Sequence, residues 1–332
     1  MHGSDHESFQ MTADDVLTRA APPPDFVVSY GPGDHQVADV RLPSGPGAPQ
    51  SPQTPHLTPA PHSAETPPPA QVPVPPAAPA APAVPAGVAG MAPPARSAPL
   101  VLFLHGGFWR AAYDRSHTGP LATALAAAGL AVCTPEFRRT GQPGGGWPGT
   151  FDDVAAAVDR LPGLVRDAAG AGVVSDAPVV LAGHSAGGHL ALWAAARHMI
   201  PPGAPWHTAQ PQVAGVAALA AVSDLGACYA LRLGRDAVVP LLGGGPQEYP
   251  ERYRVTDPMR LLPLGCPVRL VHGSADRDVP FSLSAGFLAR GRAAGDDVSL
   301  AGLPGTGHLD LIDPLSSAWP RVEAAFAALQ PS

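Results

Sequence analysis

The sequence predicts an α/β protein built on a mostly parallel sheet with helices on both faces. Two observations carry that prediction. Short apolar runs recur along the chain, at Pro99–Leu104, Leu130–Thr134, Val179–Ala182, Val213–Leu219, Val268–His272 and Asp297–Leu303, and segments of helical spacing alternate with most of them. Several of these runs, such as Leu100 to Leu104 and Val179 to Ala182, are apolar at every position, as in strands buried on both faces. With 332 residues, 45% of them hydrophobic, the chain is long enough for one sizeable core.

Taken in order, Thr12 to Ala20 suits a short helix. Phe26–Tyr30 and Gln36–Leu42 read as strands, and Gly31-Pro-Gly-Asp34 between them reads as a turn, which makes a hairpin. From Pro43 to Arg96 the composition shifts. A third of those residues are proline and most others are alanine, serine or threonine. Such a segment has almost nothing to bury, and between two strands it reads as a surface insertion, disordered or partly polyproline II. The expected organisation is therefore residues 1–43 as N-terminal segment and first hairpin, 44–98 as insertion, and 99–332 as the main core.

Within that core, Leu121–Ala128 forms a helix ended by Gly129, and a glycine-rich loop from Gly141 to Gly149 carries Trp147. Thr150 with Asp153 three residues on predicts a capped helix start, with Val154, Val158 and Leu161 at helical spacing. After Val213–Leu219, the stretch 224–264 is irregular and reads as a small cap over the sheet edge. Phe281–Ala293 is helical, and a last helix from about Ala318 buries Val322, Phe326 and Leu329.

Composition narrows the function. The net charge is −7, lysine is absent, and no basic stripe appears, which argues against a nucleic-acid partner. No run approaches the length of a membrane span, and Met1–Gln10 lacks an apolar core. Cys133, Cys228 and Cys266 are scattered and odd in number, as in buried free thiols of a reducing compartment. The expected location is cytoplasmic. The thirteen histidines make no metal-ligand spacing, and no metal or other cofactor is expected.

The chemistry gathers around Gly183-His-Ser185-Ala-Gly187. A G-x-S-x-G between a strand and a helix is a nucleophile elbow, which presents its serine at a helix N-terminus where negative charge is favoured. A serine hydroxyl needs a base, and the base needs an orienting anion. Ser185, Asp276 and His308 stand in the chain order this arrangement uses, each just past a strand. Asp278, Asp310 and Asp313 read as structural. His189 reads as packed behind the elbow, and His105 as shaping its loop. An oxyanion would be held by the N–H of Ala186 and by those of Gly107 and Phe108. Trp109 and Trp147 are candidates for lining a pocket or for packing in the core.

His105-Gly-Gly-Phe-Trp109 together with Gly183-His-Ser-Ala-Gly-Gly-His189 resembles the α/β-hydrolase superfamily. Within it the chain is similar to small carboxylesterases and to kynurenine formamidases (arylformamidases), whose oxyanion loop has an H-G-G-x-W pattern. The resemblance runs from about Pro99 to the C-terminus. It implies an eight-stranded hydrolase fold, no cofactor, acyl transfer to water, and a triad of Ser185, Asp276 and His308. Phe108 and His184 depart from the H-G-G-G and G-D-S-A-G of hormone-sensitive-lipase-like esterases, and Glu136-Phe-Arg-Arg139 matches their corresponding stretch only loosely.

The expectation is thus a serine hydrolase acting on a small ester or amide with water. Formamidase action is the nearest alternative, and a prolyl-oligopeptidase-type peptidase a more distant one. A non-catalytic binding module, or a scaffold that works through the insertion, is the alternative outside catalysis.

Overall fold

A computed structural model describes residues 13–43, 97–209 and 212–330 of the chain. Met1–Gln10 and most of the proline-rich insertion lie outside the described residues. One eight-stranded sheet runs in the order β1-β2-β4-β3-β5-β6-β7-β8. β1 (Phe26–Ser29) and β2 (Val37–Arg41) form the expected antiparallel hairpin, and β2 also pairs antiparallel with β4 (Ala131–Pro135). β3 (Leu100–Leu104), β4, β5 (Val179–His184), β6 (Val213–Leu219), β7 (Val268–Gly273) and β8 (Val298–Leu303) are parallel to one another. β3, β4 and β5 are buried at every residue, as expected of central parallel strands that are mainly apolar.

Helices cover both faces. α1 (Ala13–Thr18), α2 (Gly119–Ala127) and α3 (Gly149–Ala169) precede the elbow, and α4 (Ala186–Ala195) follows it. α5 (Leu225–Ala230), α6 (Leu233–Asp236), α7 (Val238–Leu242) and α8 (Pro250–Thr256) lie in the stretch 224–264, which the sequence reads as a cap. α9 (Phe281–Ala293) and α10 (Trp319–Ala327) close the chain. The core falls into two apolar clusters, one on each face of the sheet. Val101, Phe103, Val132, Val180 and Val271 point one way, while Leu100, Leu102, Leu104, Leu181 and Leu270 point the other. Val322, Phe326 and Leu329 are buried as expected.

All ten residues of α4 are buried, and one local expectation is corrected. α3 does not begin with a Thr150–Asp153 capping box; its N-cap is Pro148, without a side-chain cap. Thr150 Oγ1 instead donates to Arg138 O, and both Asp153 oxygens take the Arg138 guanidinium at 2.9 Å. A buried carboxylate satisfied by a forked cation is unavailable to a helix N-terminus. The cysteines are free thiols; Cys133 and Cys228 are buried, whereas Cys266 is only partly so.

Among the described residues no helix is long and apolar enough to cross a membrane.

Candidate active site

β5 ends at His184, and Ser185 turns the chain into α4 with φ 56° and ψ −119°. A non-glycine residue with positive φ is held there only if its surroundings over-determine it. Ser185 N donates to Leu219 O at 2.8 Å, and Ser185 O accepts from His189 N and Val222 N at 3.1 Å each. The turn also needs room. A Cβ on Gly187 would overlap Leu104 O, so only glycine lets α4 start this close to β3. The serine stands at the N-cap of a ten-residue helix, as the motif predicts, but it is 2% exposed rather than open to solvent.

Asp276 and His308 arrive from the loops after β7 and β8. His308 Nδ1 and Asp276 Oδ2 are 2.6 Å apart. An ionised carboxylate can only accept, so Nδ1 carries the proton and Nε2 is left to act as a base. Burial pushes the Asp276 carboxyl up, but hydrogen bonds from His272, His308 and Val279 N outweigh it and hold the group far below the usual carboxylate range. The His308 ring lies 4.4 Å from that of His184, centroid to centroid, and His184 Nε2 donates to His308 O at 3.0 Å. Those contacts bring the His308 loop against the residue next to Ser185. Burial, then the neighbouring His308, keep His184 neutral, well below the ordinary histidine range.

The other aspartates near His308 make these contacts. Asp278 N donates to Asp276 Oδ1, Asp310 Oδ2 accepts from Gly307 N, and Asp313 pairs with Arg19. Asp276, Asp278 and His308 bring possible ligand atoms within 4.8 Å of one another.

The loop after β3 is shaped by three successive positive φ values, 107° at Gly107, 49° at Phe108 and 56° at Trp109. His105 anchors its start, with Nε2 2.9 Å from Glu136 Oε1 and Nδ1 2.9 Å from Gly106 O. Glu136 also accepts from Phe137 N and Arg115 N. Burial raises the Glu136 carboxyl, yet His105 and Arg139 bring it below the ordinary glutamate value.

Trp109 is 1% exposed and belongs to the core, which corrects its candidacy as a pocket wall. Its Nε1 donates to His189 Nδ1 at 3.2 Å, and His189 Nε2 donates on to Thr256 O at 3.0 Å. Burial lowers His189 to about 4, which keeps it neutral, as that bonding requires. Trp147 is likewise taken up by packing, edge-on to Trp206 at 5.0 Å and beneath the Arg252 guanidinium at 5.3 Å. Phe108 lies against the bare Cα of Gly234 in the cap, and Arg110 donates to Gly234 O.

Sequence reasoning passed over three residues. Glu136 and His272 each stand at or just past a strand end, and His184 occupies the variable position of the elbow motif. Position was the available signal. Their partners are remote in sequence and leave no local pattern.

Comparison with known proteins places the chain in a family. Its residues 91–290 match the BD-FAE family model, and the chain belongs to that family of α/β-hydrolase-like esterases. No curated protein matches it. Among solved structures, a bifunctional GH43-CE protein of Bacteroides eggerthii superposes with TM-score 0.62 at 17% identity, over 92% of this chain and 38% of that one. The chain thus spans well under half of that protein. A truncated carbohydrate esterase from gut microbiota gives TM-score 0.62 at 16% identity, over 93% and 99% of the two chains. Thermogutta terrifontis esterase 2, phosphoramylated by tabun, gives 0.60 at 18% identity, over 91% and 92%. At these identities the likeness establishes the α/β-hydrolase fold, and the family establishes an esterase-type hydrolase.

Proposed function

We propose that the chain hydrolyses a small carboxylic ester through a covalent acyl-enzyme on Ser185. His308 takes the serine proton and returns it to the leaving alcohol. Asp276 holds the imidazole in the required tautomer and stabilises the imidazolium. The N–H groups of Gly107, Phe108 and Ala186 receive the oxyanion. Water then attacks the acyl-enzyme with His308 again as base.

The observation that carries this reading is the 2.6 Å Asp276–His308 hydrogen bond beside the strained Ser185 turn. The burial of Ser185 and of the His308 and Asp276 side chains, which shields their interactions from water, supports it further. The gut-microbiota neighbour is described as a carbohydrate esterase, so acylated sugars belong among the substrates to try.

The test is a panel of p-nitrophenyl acetate, an acetylated sugar and N-formylkynurenine, assayed with wild type and Ser185→Ala. Ester hydrolysis that disappears in the variant is the expected result. A higher kcat/KM for the formyl amide than for both esters would move the assignment to a formamidase. Hydrolysis that survives Ser185→Ala would remove the triad reading.

A further inference from the structure

Asp276 has a second histidine. His272, the fifth residue of β7 and wholly buried, brings Nε2 to 3.2 Å from Asp276 Oδ2, the oxygen that His308 also uses. The same Nε2 is 2.9 Å from Val279 O. A carbonyl and an ionised carboxylate can only accept, so this nitrogen carries a proton and shares it between them. On the far side of the ring, Nδ1 is 2.7 Å from the hydroxyl of Ser284, which is buried in α9 and free to donate. A ring buried among those partners is satisfied as the Nε2–H tautomer and not as the Nδ1–H one.

All four acceptor sites of Asp276 are then filled. Oδ1 takes Val279 N at 2.8 Å and Asp278 N at 2.9 Å, and Oδ2 takes His308 and His272. Two backbone donors alone would fix the carboxylate's plane. The additional donor, on the very oxygen that faces the base, draws negative charge away from the His308 hydrogen bond.

We propose that His272, its tautomer set by Ser284, is a positioning residue that holds Asp276 Oδ2 toward His308 and limits how tightly that carboxylate binds the imidazolium. The inference rests on reading Ser185, His308 and Asp276 as the catalytic triad. Its consequence is a pH-rate signature. The titratable or charged groups around His308 are Asp276, Asp278 and His272 from β7 and the loop after it, His184 from β5, and Asp310 on its own loop. Of these, His272 is the donor that competes with His308 for one oxygen. Without it the carboxylate charge concentrates on the remaining bond, the imidazolium is held more firmly, and proton return to the leaving group slows.

The experiment compares wild type, His272→Phe, His272→Gln and Ser284→Ala, with Ser185→Ala as the blank, by kcat and KM for p-nitrophenyl acetate across pH. His272→Phe is expected to move the acid limb of kcat/KM upward by about 0.5–1 pH unit. Its kcat should fall about tenfold, the scale of over-stabilising the imidazolium by one charge-assisted hydrogen bond's worth, while KM stays within about twofold. His272→Gln, which keeps a donor near the Nε2 position, should restore the limb, and Ser284→Ala should give a smaller shift in the same direction.

Folded variants with an unmoved acid limb, or a loss confined to thermal stability, would overturn the proposal. Should the substitutions prevent folding, ¹⁵N-histidine NMR of the wild-type protein decides instead. An Nε2–H resonance for His272 is expected, and an Nδ1–H tautomer would contradict it. Activity persisting in Ser185→Ala would instead remove the triad reading itself, so the two failures can be told apart.

Discussion

The sheet edge proposed to be catalytic and the helical segment 224–264 are held by different means. At the edge, β5, β7 and β8 end in register with their parallel neighbours, and each delivers one functional side chain within a few residues of its last strand position. In the segment 224–264, three short helices, α5, α7 and α8, are joined through a left-handed turn at Leu233–Asp236, with Arg232, Gly234, Arg235 and Asp236 all at φ between 54° and 59°. That segment is fastened to the loop after β3 by Arg110 on Gly234 O and by Phe108 against Gly234. Precision at the edge comes from regular structure, whereas in the cap it depends on a few side chains reaching across to irregular backbone.

The same contrast appears in two buried carboxylates. Asp276 at the edge is drawn far below its ordinary range by its donors. Asp257 closes the cap segment by accepting from Leu225 N and Gly226 N, yet burial first and Asp224 second push it up to about 6. The linkage signs are therefore opposite. The depressed Asp276 contributes stability present above about pH 4 and lost as pH falls toward its folded value. The raised Asp257 contributes stability that is complete below about pH 4 and lost as pH rises through about 6.

Substitutions can break the comparison from its strongest point downward. Ser185→Ala should cost about 10⁴–10⁶ in kcat with the fold intact, read by steady-state kinetics and circular dichroism. Asp276→Asn should cost about 10⁴, because an amide no longer fixes the tautomer that leaves Nε2 as a base.

Next comes the oxyanion loop. A Cβ on Gly107 would sit 2.5 Å from Tyr113 Cβ at a φ of 107°, so Gly107→Ala should displace the donors and lower kcat by about 10²–10³. A Gly107→Ala enzyme of wild-type kcat would place the oxyanion elsewhere. Arg110→Ala cuts the tie to the cap and should cost about tenfold in kcat/KM, the scale of one charge-assisted hydrogen bond. An unchanged kcat/KM would mean that the cap is positioned without that tie.

The smallest change is in stability alone. Asp257→Asn should reduce the loss of unfolding free energy between about pH 4 and 7 by up to about 3 kcal/mol, followed by urea denaturation. A slope equal to that of wild type would contradict the raised Asp257.

How much of this could be read in the sequence follows the same division. The parallel strands announce themselves as apolar runs, so the sheet and the strand ends bearing Ser185, Asp276 and His308 were legible. α9 runs from Phe281 to Ala293 just as its spacing predicts. The cap could be recognised only as irregular. Its shape is set by contacts such as Phe108 with Gly234, more than a hundred residues apart. Trp109 shows the limit most clearly. Beside an oxyanion motif it reads equally as pocket wall or core, and only the position of His189, eighty residues on, decides for the core. Thr150 and Asp153 have the spacing of a capping box, but Arg138 takes the carboxylate first.

The central claim is that Ser185 is a nucleophile made reactive by His308. It is tested most directly by treating wild type and His308→Ala with an organophosphonate ester and mapping the adduct by tandem mass spectrometry. The account predicts a single phosphonyl group on Ser185 in the wild type and almost none in the variant. Labelling at another residue, or equal labelling of Ser185 without the histidine, would contradict it.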